Sequence, residues 1–187
     1  MGGTFDPIHL GHLRAAENAR EELGLDEVRF FPAQVPPHRP APSSSARDRF
    51  AMVALATAMH PRFVADDLEL RRDGPSYTVD TLAALRRERP ADDVVLVVGS
   101  DTFPELETWK DHDRLLDMCT VAVVGRPEDG RGQGGGSAAV AGGVRVTGPG
   151  LAVSATDIRR RVKEGRSIRY LVPDAVADYI LKRGLYR

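Results

Sequence analysis

The run from Asp93 to Gly99, DVVLVVG, constrains the fold more than any other stretch of the sequence. It is almost continuously apolar, as strands are when both faces of a parallel sheet are covered. Apolar residues recur at helical spacing after Leu10 and again after Ala46. The segment Asp26 to Pro32 lies between these two patterns and reads as a short buried strand. Because a strand, helix and strand in succession favour a parallel right-handed crossover, the sequence predicts an α/β fold.

The length of the chain predicts a single domain over residues 1–187. A chain of 187 residues can bury one proper core but is short for two. Residues 128–143, EDGRGQGGGSAAVAGG, depart from the rest because they are rich in glycine and poor in apolar side chains. We expect them to form a mobile insertion that plays no role in catalysis.

The charge balance argues against a nucleic-acid partner or a membrane partner. Lys and Arg number 26 against 27 Asp and Glu, so the net charge of −1 creates no global attraction for polyanions. No apolar run reaches the length of a membrane span, and the first residues lack the pattern of a signal peptide. We therefore expect a cytoplasmic protein. Its single cysteine, Cys119, cannot form an intrachain disulfide and is expected to be a packed thiol.

The first twelve residues, MGGTFDPIHLGH, predict a phosphate site. Gly2 and Gly3 carry no Cβ and tolerate positive φ, so their backbone can approach an anion closely. His9 and His12 lie three residues apart at the start of the predicted first helix, where they share one face. The N–H groups and the dipole at a helix N-terminus favour bound phosphate.

GGTFDPIHLGH resembles the signature of the nucleotidylyltransferase superfamily, whose HxGH motif contacts the phosphates of ATP. GGTFDP is similar to the bacterial nicotinate-nucleotide adenylyltransferase branch. The resemblance implies a Rossmann-like, doubly wound parallel sheet with helices on both faces. It also implies that this segment binds ATP through Gly2, Gly3, Thr4, Phe5, His9 and His12, with the two histidines catalytic.

A second phosphate motif is expected near the carboxyl end of the chain. Ser154, Thr156 and Asp157 are typical of a helix N-terminus, and Arg159 follows within one turn. The segment SATDIRRR resembles the SxTxxR motif of the same superfamily. The resemblance implies that Ser154, Thr156 and Arg159 hold the ATP phosphates, with Arg159 catalytic.

Two further segments resemble the parts of the family that bind the pyridine nucleotide. PPHR, residues 36–39, lies in a long proline-rich loop and contributes His38 and Arg39. In GPSYTVDTL, the resemblance implies that the backbone around Tyr77 and Thr78 receives the pyridine carboxyl group. A purely structural alternative makes Ser76 or Thr78 the cap of a helix.

The segment GSDTFPELETW follows the buried strand directly. Ligands of open α/β sheets bind beyond the carboxyl ends of the strands, which favours a functional position for this segment. It resembles the family pattern GxDxxxxLxxW. The resemblance implies that Gly99 and Asp101 lie near the nucleotides and that Trp109 stacks on the nicotinate ring.

Together the motifs imply an enzyme that transfers the adenylyl group of ATP to nicotinate mononucleotide in NAD biosynthesis. Mg²⁺ is expected to bind through the ATP phosphates, without a metal site made of side chains. Three alternatives stay open. One is a sister adenylyltransferase acting on another phosphate monoester such as pantetheine phosphate, and one is a non-catalytic nucleotide-binding protein. The third, a zinc hydrolase using His9, His12 and His38, lacks a carboxylate or cysteine ligand at matching spacing.

The beginning of the sequence departs from the family pattern. In the family a hydrophobic first strand runs into the glycine pair, whereas only Met1 precedes Gly2 here. The resemblance therefore implies a first strand truncated at Met1 and a natural product that begins several residues upstream. We expect either a sheet with an empty slot or neighbouring strands that close over it.

Overall fold

The computed structural model describes residues 1–37, 40–125 and 142–187, together with the backbone of residues 138–140. The predicted substrate residues His38 and Arg39 lie outside the described residues. The same is true of most of the predicted glycine-rich insertion.

The described residues form seven strands and six α-helices, which confirms the predicted α/β class. The strands are β1 (Gly2–Gly3), β2 (Val28–Pro32), β3 (Phe63–Ala65), β4 (Val95–Gly99), β5 (Thr120–Val124), β6 (Ala138–Val140) and β7 (Gly143–Val146). The helices are α1 (Leu10–Leu23), α2 (Ala46–Thr57), α3 (Thr78–Glu88), α4 (His112–Leu116), α5 (Ala155–Lys163) and α6 (Asp174–Arg183), and a 3-10 helix covers Phe103–Thr108.

The described strands are arranged in two hydrogen-bonded sheets. The first has the order β1-β2-β3 and the second the order β4-β5-β7-β6. All neighbours are parallel except β6 and β7, which form an antiparallel pair within the end of the glycine-rich segment. In the first sheet Gly2 lies opposite Phe31. Parallel strands align their carboxyl ends at one edge, which prepares a common site there.

A cavity of about 140 Å³ lies between β1 and β2 on one side and β4 on the other. Met1, Phe31, Leu96 and Val97 are among the residues that line it. β1 contributes two residues to its ladder with β2.

Helices cover both faces of the second sheet, as in the predicted doubly wound arrangement. On one face, Val97 and Ala122 pack with Ala19 of α1. On the other face, side chains of β4 and β5 form a cluster with Leu82 of α3 and Leu115 of α4. Ala16, one turn before Ala19, belongs instead to the core around the first sheet. Helix α1 therefore connects the two sheets through its buried side chains.

The loosely alternating residues from Phe63 to Leu70 predict a strand over that whole segment. β3 ends at Ala65, so the second half of that prediction is wrong. The Asp66 carboxylate accepts a hydrogen bond from the Leu68 N–H at 2.9 Å, which turns the chain. Its other oxygen lies 2.8 Å from Nη1 of Arg29 on β2. A side chain that binds its own backbone two residues on offers an alternative to the strand ladder.

Cys119 is half-buried and packs beside the cluster around Leu115. Burial raises the pKa of its thiol to about 11, so the group stays protonated near neutral pH. Among the described residues, no helix combines the length and apolar character required to cross a membrane.

Phe30 provides a test of the core around the first sheet. Its side chain is fully buried, with ring centroids 6.0 Å from Phe5 and 5.2 Å from Phe63. We predict that Phe30→Ala lowers the free energy of unfolding by about 3–5 kcal/mol, since it removes apolar contacts and leaves a cavity. Urea denaturation followed by circular dichroism measures this change.

Met59→Ala, at a 95% exposed side chain, is the control and should change stability by less than about 0.5 kcal/mol. Equal losses in the two variants would contradict this assignment of the core.

Candidate active site

A cleft of about 670 Å³ opens beyond the carboxyl ends of β1, β2, β4 and β5. Every described residue that the sequence predicted for a site contributes to its lining. These residues are Gly2, Gly3, Thr4, Phe5, His9, His12, Tyr77, Thr78, Gly99, Asp101, Trp109, Ser154, Thr156 and Arg159. The fold thus brings together segments that are far apart in the sequence.

His9 and His12 cap the N-terminus of α1 reciprocally. The His12 N–H donates to Nδ1 of His9 at 3.3 Å, and the His9 N–H donates to Nδ1 of His12 at the same distance. The two rings stack with centroids 3.7 Å apart and an interplanar angle of 22°. His9 is buried, with 6% of its surface exposed. The two imidazoles are therefore held as one unit at the positive end of the helix dipole.

This hydrogen-bond pattern assigns the tautomer of both rings. A neutral imidazole has one donor nitrogen and one acceptor nitrogen. Because Nδ1 of each ring accepts from a backbone N–H, the proton of the neutral ring belongs on Nε2. Each histidine can thus donate through Nε2, which is the polarity that a phosphate oxygen requires.

Phe5 shapes the loop between β1 and α1. It adopts φ 49°, a left-handed conformation that is rare for a bulky residue. Its ring lies edge-on to His12 with centroids 5.1 Å apart. A Cβ on Gly3 would lie 2.9 Å from Cζ of this ring, so Gly3 is required for the packing. Neither Gly2 nor Gly3 has positive φ, and the expected advantage of the pair therefore comes from the missing Cβ alone.

The second phosphate motif forms the start of α5. The Ser154 hydroxyl accepts from the Asp157 N–H at 3.2 Å, which confirms the predicted helix N-terminus. Arg159 Nη2 donates to Oγ1 of Thr156 at 3.3 Å, and its Nη1 donates to the carbonyl of Asp6 at 2.7 Å. The two predicted phosphate motifs are therefore joined directly by one guanidinium.

Gly99 ends β4 and makes room for Asp101. A Cβ on Gly99 would lie 2.5 Å from Oδ1 of Asp101, so a side chain at this position would displace the Asp101 carboxylate. The Asp101 carboxylate consequently folds back over the end of the strand while remaining exposed to the cleft.

Helix α3 begins without a side-chain cap, so the predicted capping role of Ser76 or Thr78 is wrong. Tyr77 is the N-cap residue and makes no side-chain hydrogen bond there. The Ser76 hydroxyl instead accepts from the Gln34 N–H at 2.8 Å, which ties this segment to the loop after β2. Thr78 is the first helical residue. The first N–H groups of a helix have no partner within the helix and can bind an anion.

Trp109 follows the 3-10 helix and is half-buried beside the cluster around Leu115, to which Leu106 also belongs. The adjacent Lys110, which was not among the predicted site residues, also lines the cleft. Its Nζ lies 4.7 Å from the centroid of the Tyr77 ring and 3.2 Å from Oδ2 of Asp80. A cation therefore accompanies the uncapped start of α3. The one sequence signal for a role of Lys110 in the cleft is its position next to Trp109.

Two other contributors to the architecture of the site were missed. Asp6 is 5% exposed and Arg49 is 1% exposed, and both are charged. Arg49 lies three and four residues before the buried Met52 and Val53 on α2. That spacing puts it on the apolar face of the helix, a signal that could have identified it as buried.

The cytidylyltransferase-like family model matches residues 1–161 of the chain. A probable nicotinate-nucleotide adenylyltransferase of Thermus thermophilus is 48% identical over 187 residues, covering 100% of this chain and 97% of that protein. A protein of Pseudomonas fluorescens with the same name is 45% identical over 204 aligned positions, covering 100% of this chain and 95% of the relative.

Solved structures give the same picture of the fold. The nicotinic acid mononucleotide adenylyltransferase of Plasmodium falciparum, complexed with NaAD, aligns with a TM-score of 0.78 at 17% identity. The alignment covers 99% of this chain and 94% of that chain. At this identity the likeness concerns the fold alone.

Gly11 tests the packing of the histidine pair. A Cβ on Gly11 would lie 3.0 Å from Nδ1 of His9 and 3.3 Å from the Leu151 carbonyl, so Gly11→Ala must displace the His9 ring. We predict that the affinity for ATP falls about tenfold or more, the equivalent of one charge-assisted hydrogen bond. The change in stability should be small, because the higher helix propensity of Ala offsets part of the cost of displacing the ring. Calorimetric titration with ATP measures the affinity. Glu21→Ala, at the other end of α1, is the control, and equal affinity in the two variants would refute the prediction.

Proposed function

Because the chain belongs to the cytidylyltransferase-like family, among its nicotinate-nucleotide adenylyltransferases, we propose that it transfers the adenylyl group of ATP to nicotinate mononucleotide. The products are nicotinate adenine dinucleotide and pyrophosphate. The observation that carries this proposal is the union of two phosphate motifs in one cleft. Arg159 donates to the Asp6 carbonyl at 2.7 Å, three residues before the capping His9.

The reaction requires no nucleophile from the protein. The phosphate of nicotinate mononucleotide attacks the α-phosphorus of ATP, and pyrophosphate departs. The attacking group is already an anion near neutral pH, so the enzyme must bring two polyanions together and stabilise the charge of the transition state. Catalysis then rests on positioned donors, as in other phosphoryl transfers.

His9 and His12 are suited to the α-phosphate. With Nδ1 of each ring occupied by a backbone N–H, the Nε2 proton is the one that can be donated to phosphate. The N-terminus of α1 adds its partial positive charge at the same place. Close to them, the backbone and side chains that would surround ATP are Gly2, Gly3, Thr4, Phe5, Gly99 and Asp101.

Arg159, Ser154 and Thr156 are suited to the departing pyrophosphate. The Ser154 oxygen accepts from the Asp157 N–H, so its own proton can be donated to a phosphate oxygen. Arg159 carries a permanent charge, and a guanidinium matches two phosphate oxygens at once. These groups act most strongly when charge moves onto the leaving pyrophosphate.

The opposite wall of the cleft is suited to the nicotinate ring. The uncapped start of α3 offers N–H groups at Thr78, and the Lys110 ammonium lies beside the Tyr77 ring. The N–H groups favour a carboxylate, and the Lys110 ammonium adds to this attraction although Asp80 neutralises part of its charge. Trp109 provides a half-buried aromatic face on which a flat ring can stack. Contacts of His38 and Arg39 with this nucleotide stay a prediction from the sequence.

Mg²⁺ fits the cleft as an ion that ATP carries with it. Among the described residues, no three His, Cys, Asp or Glu side chains are grouped so that they could hold a metal. The donors at the start of α5, Arg159 and the Ser154 hydroxyl, match phosphate oxygens. Mg²⁺ commonly binds through phosphates and water with few protein ligands, and it would neutralise part of the phosphate charge.

Two substitutions test the roles of the phosphate motifs. We predict that His12→Ala and Arg159→Ala each lower kcat by about two to three orders of magnitude, the usual effect of removing one transition-state donor. Release of pyrophosphate from ATP and nicotinate mononucleotide measures the rate, and thermal melting checks the fold.

Matched controls are available for both variants. His112 begins α4 outside the lining of the cleft, and Arg160 is exposed and paired with Asp157 next to Arg159 on α5. His112→Ala and Arg160→Ala should retain turnover near that of the wild type. A His12→Ala protein with wild-type turnover would exclude the proposed role of that histidine.

The α3 wall leads to a prediction about the substrate. Nicotinate mononucleotide should be preferred over the nicotinamide form, because donors at Thr78 and Lys110 match a carboxylate better than an amide. The mismatch should cost on the order of 1–3 kcal/mol, or roughly 5- to 150-fold in kcat/KM. Steady-state kinetics with the two nucleotides at saturating ATP measures the ratio, and equal kcat/KM values would contradict the prediction.

A further inference from the structure

The carboxylate of Asp6 is a buried acceptor shared by two distant segments. Its Oδ2 accepts from the Ser43 N–H at 2.7 Å. Its Oδ1 accepts from the Tyr186 hydroxyl at 2.8 Å and from the Ser44 hydroxyl. The Ser44 and Tyr186 oxygens also lie 3.2 Å apart. Since a buried charge is costly without partners, these donors fix the carboxylate in one orientation.

The main chain of the same residue contacts the proposed phosphate machinery. The Asp6 carbonyl receives Nη1 of Arg159 at 2.7 Å. The orientation of residue 6 therefore sets one of the two anchors of this guanidinium, the other being the Thr156 hydroxyl at 3.3 Å. Asp6 also precedes His9 by only three residues. A shift of Asp6 would move both phosphate motifs relative to each other.

Tyr186 lies outside the lining of the cleft, so its hydroxyl acts through the residues that it contacts, Asp6 and Ser44. The residue adopts φ 65°, and its side chain packs partly buried against the core around the first sheet. Burial raises the pKa of its phenol, so the hydroxyl stays protonated and keeps donating across the neutral range. The segment that carries it is held by the preceding helix, whose end at Gly184 takes φ 63°.

We propose that Tyr186 is a positioning residue for adenylyl transfer, which orients Asp6 and through it Arg159. The proposal rests on the proposed function. The Tyr186 hydroxyl is one of the three donors that fix the Asp6 carboxylate. The backbone carbonyl of Asp6 accepts from Arg159, so the orientation of Asp6 also sets that of the guanidinium. Ser43 and Ser44, which follow the cleft-lining Pro42, are fixed by the same carboxylate.

Tyr186→Phe tests this role because it removes only the hydroxyl. We expect kcat to fall about tenfold, since misplacing a catalytic group by a fraction of an ångström is costly. KM for ATP should change less than about twofold because Arg159 acts mainly on the leaving pyrophosphate. In an Arg159→Ala background, Tyr186→Phe should lower kcat no further, since its effect passes through that guanidinium.

Tyr179→Phe is the matched control. The Tyr179 hydroxyl also donates to a carboxylate, Oδ1 of Asp48, at 2.9 Å, and Tyr179 is a residue of α6 away from the cleft. Both variants lose one hydrogen bond to a charged group and should lower the thermal midpoint comparably. Only Tyr186→Phe should lower kcat. Wild-type kcat in Tyr186→Phe, an equal loss in Tyr179→Phe, or a further tenfold loss in the Arg159→Ala background each overturns the proposal.

Binding of inorganic pyrophosphate separates this proposal from the proposed function. By calorimetry, Tyr186→Phe should bind pyrophosphate about tenfold more weakly than the wild type, whereas Tyr179→Phe should bind it equally. A wild-type protein that releases no pyrophosphate from ATP and nicotinate mononucleotide would refute the proposed function. The positioning role would then stand or fall on the difference in pyrophosphate affinity between the two Phe variants.

Discussion

The hydrogen bonds of the buried Arg49 guanidinium hold together the loops that build the cleft. Nη1 donates to the Thr4 carbonyl at 2.8 Å and Nη2 donates to the Gln34 carbonyl at 3.2 Å. Because these carbonyls follow β1 and β2, one side chain of α2 fixes the exits of two neighbouring strands. Its Nε has no hydrogen-bond partner in the described part of the chain, and burial lowers the pKa of the group. The nearby Asp6 carboxylate offsets part of this desolvation.

Helix α1 links the arrangement of the sheets to the proposed phosphate site. Ala16 packs in the core of the first sheet and Ala19 packs against the second. The N-terminus of the same helix carries the capped histidine pair, and its Leu10 N–H donates a hydrogen bond to the Leu171 carbonyl at 2.9 Å. Any change in the distance between the sheets therefore moves the proposed α-phosphate donors relative to Gly99 at the end of β4.

The sequence predicted features that depend on neighbours in the chain. The N-termini of α1 and α5 and the apolar strand β4 were located correctly, because capping and periodicity are local signals. The start of α3 was predicted with the wrong cap, because the Ser76 hydroxyl accepts a hydrogen bond from the Gln34 N–H of another loop. The bond between Asp6 and Tyr186 joins residues 180 positions apart, and no local pattern indicates it. Resemblance to a known family identified which residues line the cleft, whereas the network that holds them in place required the fold.

The proposed site offers a way for a chain with a net charge of −1 to hold two polyanions. Three helices, α1, α3 and α5, begin at the cleft, through His9, Thr78 and Ser154. Each N-terminus carries the equivalent of roughly half a positive charge. Arg159 adds a full charge beside one of them, whereas Asp80 neutralises part of the charge that Lys110 brings to another. The attraction is thus concentrated in the cleft by the direction of the helices and does not depend on an excess of basic residues. Such fixed dipoles need little reorganisation when charge moves from the α-phosphorus to the leaving pyrophosphate, which is the requirement that this type of transfer places on its catalyst.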